Sequence, residues 1–135
     1  MATIKLEIVT PEAKIFSDDV DMVTLTGTEG EMGILPQHKP LMTQLVAGEI
    51  IAQKGNETSF LAVGDGFVQV TGDRVAILTD MAIEAVDIDE AKAEEARRLA
   101  EARLSQKITD EEAAHIQAAL AHATTQLKVK RLRKK

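Results

Sequence analysis

The sequence contains no cysteine, tryptophan or tyrosine, and only three of its 135 residues are phenylalanine. Without cysteine, the chain cannot form a disulfide, a thiolate metal site or a thiol nucleophile. The 2% aromatic content and the formal net charge of −6 argue against nucleic-acid binding. No apolar run approaches the roughly 18 residues of a membrane span, and the first ten residues lack the hydrophobic region of a signal peptide. We therefore expect a protein of the cytosol or of the cytosolic face of a membrane.

Motifs of the common enzyme classes are also missing. The sequence has no phosphate-binding glycine loop and no nucleophile elbow, and none of its three serines has a neighbouring histidine. His115 and His122 share one face of a predicted helix but lie two turns apart, about 10 Å, which is too far to bind one metal ion. We therefore expect no catalytic residues, no metal site and no cofactor.

Glycine, proline and charge divide the chain into two unlike parts. All eight glycines and all three prolines lie at or before Gly72. Residues 1–86 hold 13 acidic and 5 basic side chains, whereas residues 87–135 hold 9 acidic and 11 basic ones. This difference predicts two structural units, residues 1–86 and residues 87–135.

Residues 1–86 alternate between apolar and polar with the period of half-buried strands. Ile4, Leu6 and Ile8 form the first such set, and residues 54–57 (KGNE) are a typical hairpin turn between two later runs. Seven or more short strands without helical periodicity predict an antiparallel β-sandwich or barrel.

Residues 27–40 (GTEGEMGILPQHKP) differ from the strands around them. Three glycines at every third position and two prolines disfavour a regular strand. The apolar Met32 and Ile34 in the middle of the segment disfavour a solvated linker. We interpret these residues as an ordered loop that contacts a partner.

Residues 87–135 are rich in alanine, leucine and charged helix formers. A cap at Asp87 predicts a helix over residues 88–104, and a capping box from Thr109 to Glu112 predicts a second helix. The facing stripes are mostly alanine, so the hairpin must dock on the sandwich or on a partner, and it is a candidate mobile element. Residues 128–135 carry six positive charges, which suit either the helix C-terminal dipole or an acidic partner.

Four segments of the chain resemble the epsilon-subunit family of F-type rotary ATP synthases. These segments are residues 27–40, 66–70 (GFVQV), 79–82 (TDMA) and 88–93 (IDEAKA). They are similar to the family's glycine-rich loop, its GGFLEV strand, its ADTA end and its (I/L)D-x-x-R-A helix start. The resemblance covers almost the whole chain. It implies an N-terminal sandwich of about ten antiparallel strands followed by a C-terminal antiparallel two-helix hairpin.

The resemblance implies a non-catalytic rotor subunit in the central stalk of the membrane proton-translocating ATP synthase. In such subunits the sandwich docks on the gamma subunit and the c-ring. The hairpin inhibits ATP hydrolysis by the alpha/beta catalytic hexamer. The resemblance thus places the chain at the cytoplasmic face of a bacterial inner membrane, associated with the membrane only through the complex.

The resemblance also implies which residues act. The residues that would contact the gamma subunit and the c-ring are Glu31, Met32, Ile34 and His38. The basic residues of the hairpin would make the inhibitory contacts with the catalytic subunits. These residues are Arg97, Arg98, Arg103, Lys128, Lys130 and Arg131. ATP binding on the hairpin, known in some bacterial members, would use Asp89 and Lys92. A lysine cannot reproduce a bidentate arginine clamp, and His122 and Gln126 stand where further arginines would align, so we expect weak ATP binding or none.

Two other functions stay open at this level. A two-module adaptor outside the synthase would dock one partner on the sandwich and another on the hairpin. A small ATP-sensing module would bind ATP saturably on the hairpin.

Overall fold

A computed structural model describes residues 2–133 of the chain and consists of a ten-stranded sandwich followed by a helical hairpin, which confirms the predicted fold class. The strands are β1 (Ile4–Val9), β2 (Lys14–Val20), β3 (Met22–Gly27), β4 (Gly30–Ile34), β5 (Leu41–Leu45), β6 (Gly48–Lys54), β7 (Glu57–Val63), β8 (Gly66–Thr71), β9 (Arg74–Thr79) and β10 (Ala82–Glu84). A 3-10 turn over Ala85–Asp87, here called the linker turn, leads into α1 (Glu90–Leu104) and α2 (Asp110–Leu132).

The strands form one sheet that folds over on itself. Their order is β10-β7-β6-β3-β5-β8-β9-β1-β2, with β4 paired to β3 beside this path. Every described pairing is antiparallel except that of β1 with β9. Only Gly27 and Leu45 join β3 to β5, which marks the place where the sheet turns over. The amide of Asp21 donates to the carbonyl of Gln53 at 2.7 Å, which extends the β3–β6 pairing by one residue.

Branched aliphatic side chains fill the space between the two halves of the sheet. Ile4, Leu6 and Ile8 are fully buried, as their alternation predicted. The other large members of this core are Val20, Val23, Leu25, Ile34, Leu45, Ile50, Leu61, Val63, Val68, Val70, Val75 and Ile77. All of them lie on strands, so the sandwich has a hydrophobic core to which the hairpin does not contribute.

The segment predicted as a loop, residues 27–40, contains the strand β4. It pairs with β3 in a hairpin that brings Gly27 opposite Gly30. Gly30 has a φ of +116°, a conformation that favours glycine. A Cβ at Gly33 would lie 2.6 Å from the terminal methyl of Met22. The glycines therefore serve the hairpin, and the prediction that they exclude a strand was wrong.

The first helix begins two residues later than the sequence predicted. Its N-cap is Asp89, which accepts a hydrogen bond from the amide of Lys92 at 3.1 Å, whereas Asp87 belongs to the linker turn. The helix is delayed because Ala85 and Ile88 are buried against the sandwich. Thr109 caps α2 as predicted. Residues 134 and 135 of the predicted basic tail lie outside the described residues.

Candidate functional site

Three of the four residues predicted to contact the gamma subunit and the c-ring are at least partly exposed. Glu31 is exposed near the start of β4, and His38 is half-buried in the loop beyond its end. Ile34 is fully buried and Met32 packs against the core, so in this structure both support β4 from inside. Glu31 lies on β4, whereas His38 lies four residues beyond the end of this strand.

The loop after β4, residues 35–40, is ordered by contacts with the β8–β9 turn. The amide of Gln37 donates to the carbonyl of Gly72 at 2.9 Å, and Gln37 itself has a φ of +65°. A non-glycine residue persists in this conformation where its surroundings fix the backbone. Nδ1 of His38 lies 2.8 Å from the carbonyl oxygen of Lys39. The loop thus presents Leu35, which is 55% exposed, in a fixed position.

A second surface lies on the outer face of β5, β8, β9 and β1 and was not predicted. The strand register places Gln44, Phe67, Leu78 and Val9 in one row across the four strands, with Met42 two residues from Gln44 on the same face. Phe67 and Leu78 are each 55% exposed and Met42 is 70% exposed. We name Val9, Met42, Phe67 and Leu78 the outer patch. Exposed apolar side chains that cluster on one face of a domain are typical of a binding surface.

The sequence carries a signal for the outer patch. In β8 and β9, pairs of adjacent apolar residues, Phe67-Val68 and Ile77-Leu78, interrupt the strict alternation. Val68 and Ile77 enter the core, so their neighbours must face outward. Such pairs at matching positions of neighbouring strands indicate an apolar outer face.

The hairpin docks on the sandwich, one of the two arrangements that its alanine-rich stripes predicted. Near its C-terminal end, α2 contacts β6, β7 and the linker turn. Val129 is 2% exposed and packs with Ala62, Ala85 and Ile88. Leu127 is also buried, although two residues of helix place it on nearly the opposite side of α2. Val129, and not Leu127, therefore marks the face of α2 that meets the sandwich.

Polar contacts surround this apolar contact. Nε and Nη2 of Arg133 donate to the two carboxylate oxygens of Glu49 at 2.6 and 2.5 Å. The guanidinium of Arg133 lies 4.0 Å from the centre of the Phe60 ring, and the hydrogen bonds to Glu49 raise the pKa of Arg133. Nζ of Lys130 donates to the carbonyl oxygen of Ala85 at 3.0 Å. The end of α2 is therefore bound to both the sandwich and the linker turn.

The six basic residues predicted to contact the catalytic subunits fall into two groups in the docked hairpin. Arg98 and Lys128 are exposed and form no ion pair within residues 2–133. The other four have partners: Arg97 pairs with Glu94 and Glu101, Arg103 with Glu112, Arg131 with Glu90 and Glu94, and Lys130 with the Ala85 carbonyl. Hydrogen bonds, first from Arg97 and then from Arg131, lower the pKa of Glu94.

The two residues predicted to bind nucleotide, Asp89 and Lys92, line a cavity of about 450 Å³ between α1 and α2. His122 and Gln126 line it from α2. Oδ1 of Asp89 already accepts the N-cap hydrogen bond, and Nε2 of His122 lies 3.1 Å from Oδ2 of Asp80. Two aspartates and a single lysine on its wall do not form the cluster of cations that binds a triphosphate well.

Within residues 2–133, no three or more histidine, aspartate or glutamate side chains are placed to hold a metal ion. In the same range, no helix is both long enough and apolar enough to span a bilayer.

Comparison with known proteins identifies the family. The family model for the ATP synthase delta/epsilon chain beta-sandwich domain matches residues 3–85, and that for the long alpha-helix domain of the same chains matches residues 87–131. The ATP synthase epsilon chain of Dehalococcoides mccartyi is 48% identical over 136 residues, which cover 100% of this chain and 97% of the relative. The epsilon chain of Herpetosiphon aurantiacus is 43% identical over 131 residues, which cover 97% and 96%.

A solved structure supports the same assignment. It is a chain in the OSCP/F1/c-ring assembly of the Euglena gracilis mitochondrial ATP synthase in rotational state 1. The two chains superpose with a TM-score of 0.72 and 26% identity, over 93% of this chain and 79% of the other. This chain therefore belongs to the family of ATP synthase epsilon chains, as its four sequence segments predicted.

Proposed function

We propose that this chain is the non-catalytic epsilon subunit in the central stalk of a proton-translocating ATP synthase at the cytoplasmic face of a bacterial plasma membrane. Residues 1–86 dock on the gamma subunit and the c-ring. Residues 87–135 form a regulatory hairpin that restrains ATP hydrolysis by the alpha/beta hexamer. The similar Euglena gracilis chain comes from an assembly that contains F1 and the c-ring, which supports these partners.

The observation that carries the proposal is the separation of two surfaces on one sandwich. Helix α2 contacts β6 and β7, whereas the outer patch lies on β5, β8, β9 and β1. A partner on the outer patch can therefore stay bound whether the hairpin is docked or not. Burying Phe67, Leu78 or Met42 would contribute roughly 1.5–3 kcal/mol for each side chain fully buried. We assign the outer patch to the gamma subunit.

In this proposal, Glu31 on β4 and His38 in the loop after it supply polar contacts. Their backbone is already ordered by the β3–β4 pairing and by the hydrogen bond from Gln37 to Gly72. Binding would therefore cost little conformational entropy in this segment. Met32 and Ile34 hold β4 in place from inside, and the gamma subunit and the c-ring are the partners that we assign to the outside.

The basic residues of the hairpin act on an acidic surface of the catalytic subunits in this proposal. Arg98 and Lys128 are available in the docked hairpin, whereas Lys130 becomes available only when α2 leaves the linker turn. Arg97, Arg103 and Arg131 reach such a surface by exchanging their glutamate partners within the hairpin for carboxylates of the catalytic subunits. The docked hairpin is therefore the state that permits hydrolysis, and the undocked hairpin is the inhibitory state.

Reconstitution of the catalytic core tests the proposal. The core, with its gamma subunit, is combined with the full chain or with a chain that ends at Val86. We expect both chains to bind the gamma subunit and only the full chain to slow ATP hydrolysis. A full chain that neither binds the gamma subunit nor slows hydrolysis contradicts the proposal. Recovery of other proteins without synthase subunits in a pull-down would favour the two-module adaptor.

Nucleotide binding at Asp89 and Lys92 stays a prediction, and calorimetry with the full chain tests it. Lys92→Gln is the sharper variant, because replacing Asp89 would also remove the N-cap of α1. Saturable heat that Lys92→Gln abolishes would support an ATP-sensing hairpin. No heat at millimolar ATP would end that alternative.

A further inference from the structure

At the C-terminal end of the hairpin, a bidentate ion pair between Arg133 and Glu49 joins the hairpin to the sandwich. Glu49 lies on β6, and Arg133 follows the last residue of α2, so the pair joins residues 84 positions apart. Two parallel N–H···O bonds of 2.6 and 2.5 Å connect them. The Phe60 ring lies beneath the guanidinium. A bidentate arginine–carboxylate pair is stronger and more specific than a single hydrogen bond, and an aromatic face adds a cation–π contribution.

Other ion pairs of the hairpin cannot control docking. The partners of Arg97, Arg103 and Arg131 all lie on α1 or α2, so these pairs move with the hairpin when it leaves the sandwich. The contact of His122 with Asp80 does reach the sandwich, but it is a single contact whose side chains are 28% and 54% exposed. Within residues 2–133, Glu49–Arg133 is the one arginine–carboxylate pair that undocking must break.

The surroundings of the pair make it sensitive to the loss of either partner. The Glu49 and Arg133 side chains are 15% and 29% exposed. Salt and water screen such a partly buried pair less than an exposed one. Removing one partner also leaves the other charge partly buried and unpaired, which adds to the effect.

We propose that Glu49 and Arg133, seated on Phe60, form a latch that sets the fraction of molecules with a docked hairpin. Glu49 is then a regulatory residue, although it lies in the sandwich and outside every segment that resembles the family motifs. Its neutralisation favours the undocked state while every basic residue of the hairpin stays intact. The effect of the latch on hydrolysis rests on the proposed function, whereas its effect on docking does not.

The absence of native cysteine allows a direct test in the full chain. Ala62 is fully buried beneath Val129, so the thiol of Ala62→Cys becomes reactive only when α2 undocks or the sandwich unfolds. Ala52 is 2% exposed inside the sandwich core, so Ala52→Cys reports on unfolding of the sandwich alone. When closing is faster than modification, the rate of thiol labelling is proportional to the open population.

We expect Glu49→Gln and Arg133→Gln each to raise the labelling rate of Ala62→Cys roughly tenfold. Arg133→Lys keeps the charge but loses the bidentate fork and the stacking, so its rate should fall in between. Glu57→Gln on the same β6–β7 hairpin and Lys107→Gln between the helices are charge-matched controls that should leave the rate unchanged. None of these variants should change the labelling rate of Ala52→Cys.

Two outcomes would contradict the proposal that Glu49 and Arg133 control docking of the hairpin. One is an unchanged rate at Ala62→Cys in both Glu49→Gln and Arg133→Gln. The other is an equal acceleration at Ala52→Cys, which would show that the pair stabilises the sandwich and not the docking. Hydrolysis by the reconstituted core is measured in parallel, and Glu49→Gln should inhibit more strongly than the original chain. Faster labelling without stronger inhibition would leave the latch standing and contradict the regulatory part of the proposed function.

Discussion

The sandwich and the hairpin are held together by different kinds of interaction. The largest fully buried side chains of the described residues are all isoleucine, leucine or valine, and all lie on strands. The buried residues of the two helices are Ala93, Ala100, Ala123, Leu127 and Val129. Alanine buries much less apolar area than leucine, so the seam between the helices gains little from the hydrophobic effect.

Among the described residues, ion pairs contribute a larger share of the stabilising interactions in the hairpin than in the sandwich. Exposed pairs such as Arg103–Glu112 each contribute about 0–1 kcal/mol, and they can exchange one carboxylate for another without rebuilding a core. Close packing of large side chains in the sandwich has no such freedom. The chain thus concentrates its stability in the sandwich, for which we propose a fixed contact with the rotor, and keeps weaker contacts in the hairpin, for which we propose a regulatory movement.

Replacing one leucine by alanine in each region should give the largest difference in stability between the sandwich and the hairpin. Leu61→Ala in the sandwich core should lower the free energy of unfolding by about 2–5 kcal/mol, because it leaves a cavity among fully buried neighbours. Leu127→Ala should loosen the hairpin and leave the stability of the sandwich unchanged. Hydrogen exchange of amides on β8 and on α2, resolved by NMR, separates the two effects.

The same hydrogen-exchange experiment can contradict the proposed difference in stability between the two regions. If Leu127→Ala lowers protection on β8 as much as on α2, the two regions unfold as one cooperative unit. The hairpin would then be part of the stable core and not a separate regulatory element.

Exposed apolar residues in the two regions should differ in binding. Phe67 in the outer patch and Leu99 on α1 are 55% and 52% exposed, so replacing either by alanine should change folding stability by no more than about 0.5 kcal/mol. Phe67→Ala should weaken binding of the gamma subunit about tenfold, as for a buried interface anchor, while Leu99→Ala should not. Titration of each variant against the isolated gamma subunit measures this difference, and equal affinities would remove the outer patch from the interface.

The fold was more predictable than the surfaces. Alternation located the first strand of the core at Ile4, Leu6 and Ile8, and the Thr109 cap located the start of α2, because both are local patterns. The β4 strand was missed because the φ of Gly30 and the contact of Met22 with Gly33 depend on pairing with β3. Composition cannot report such a pairing.

The candidate sites depend even more on contacts across the chain. Glu31 and His38 were predicted as contact residues from a motif and stay a prediction, whereas the direction of the Ile34 side chain depends on the register of β4. Glu49 and Arg133 are 84 positions apart and belong to no local pattern. Only the docking of α2 on β6 brings them together, so the sequence alone does not indicate this pair.

Acid should affect the hairpin through Glu94, with the smallest effect of the three. Hydrogen bonds from Arg97 and Arg131 hold the pKa of Glu94 below its ordinary value. A lowered pKa means that these contacts stabilise the hairpin fully above about pH 4.3, the value of an unperturbed glutamate, and that the contribution is lost as the pH falls through the lowered value. Helical circular dichroism at 222 nm should therefore decline on acidification.

In Glu94→Gln, the helical signal should start lower and decline less steeply, whereas Glu95→Gln, the exposed neighbour, should follow the original chain. Parallel declines in all three would show that the hairpin does not depend on this ion pair.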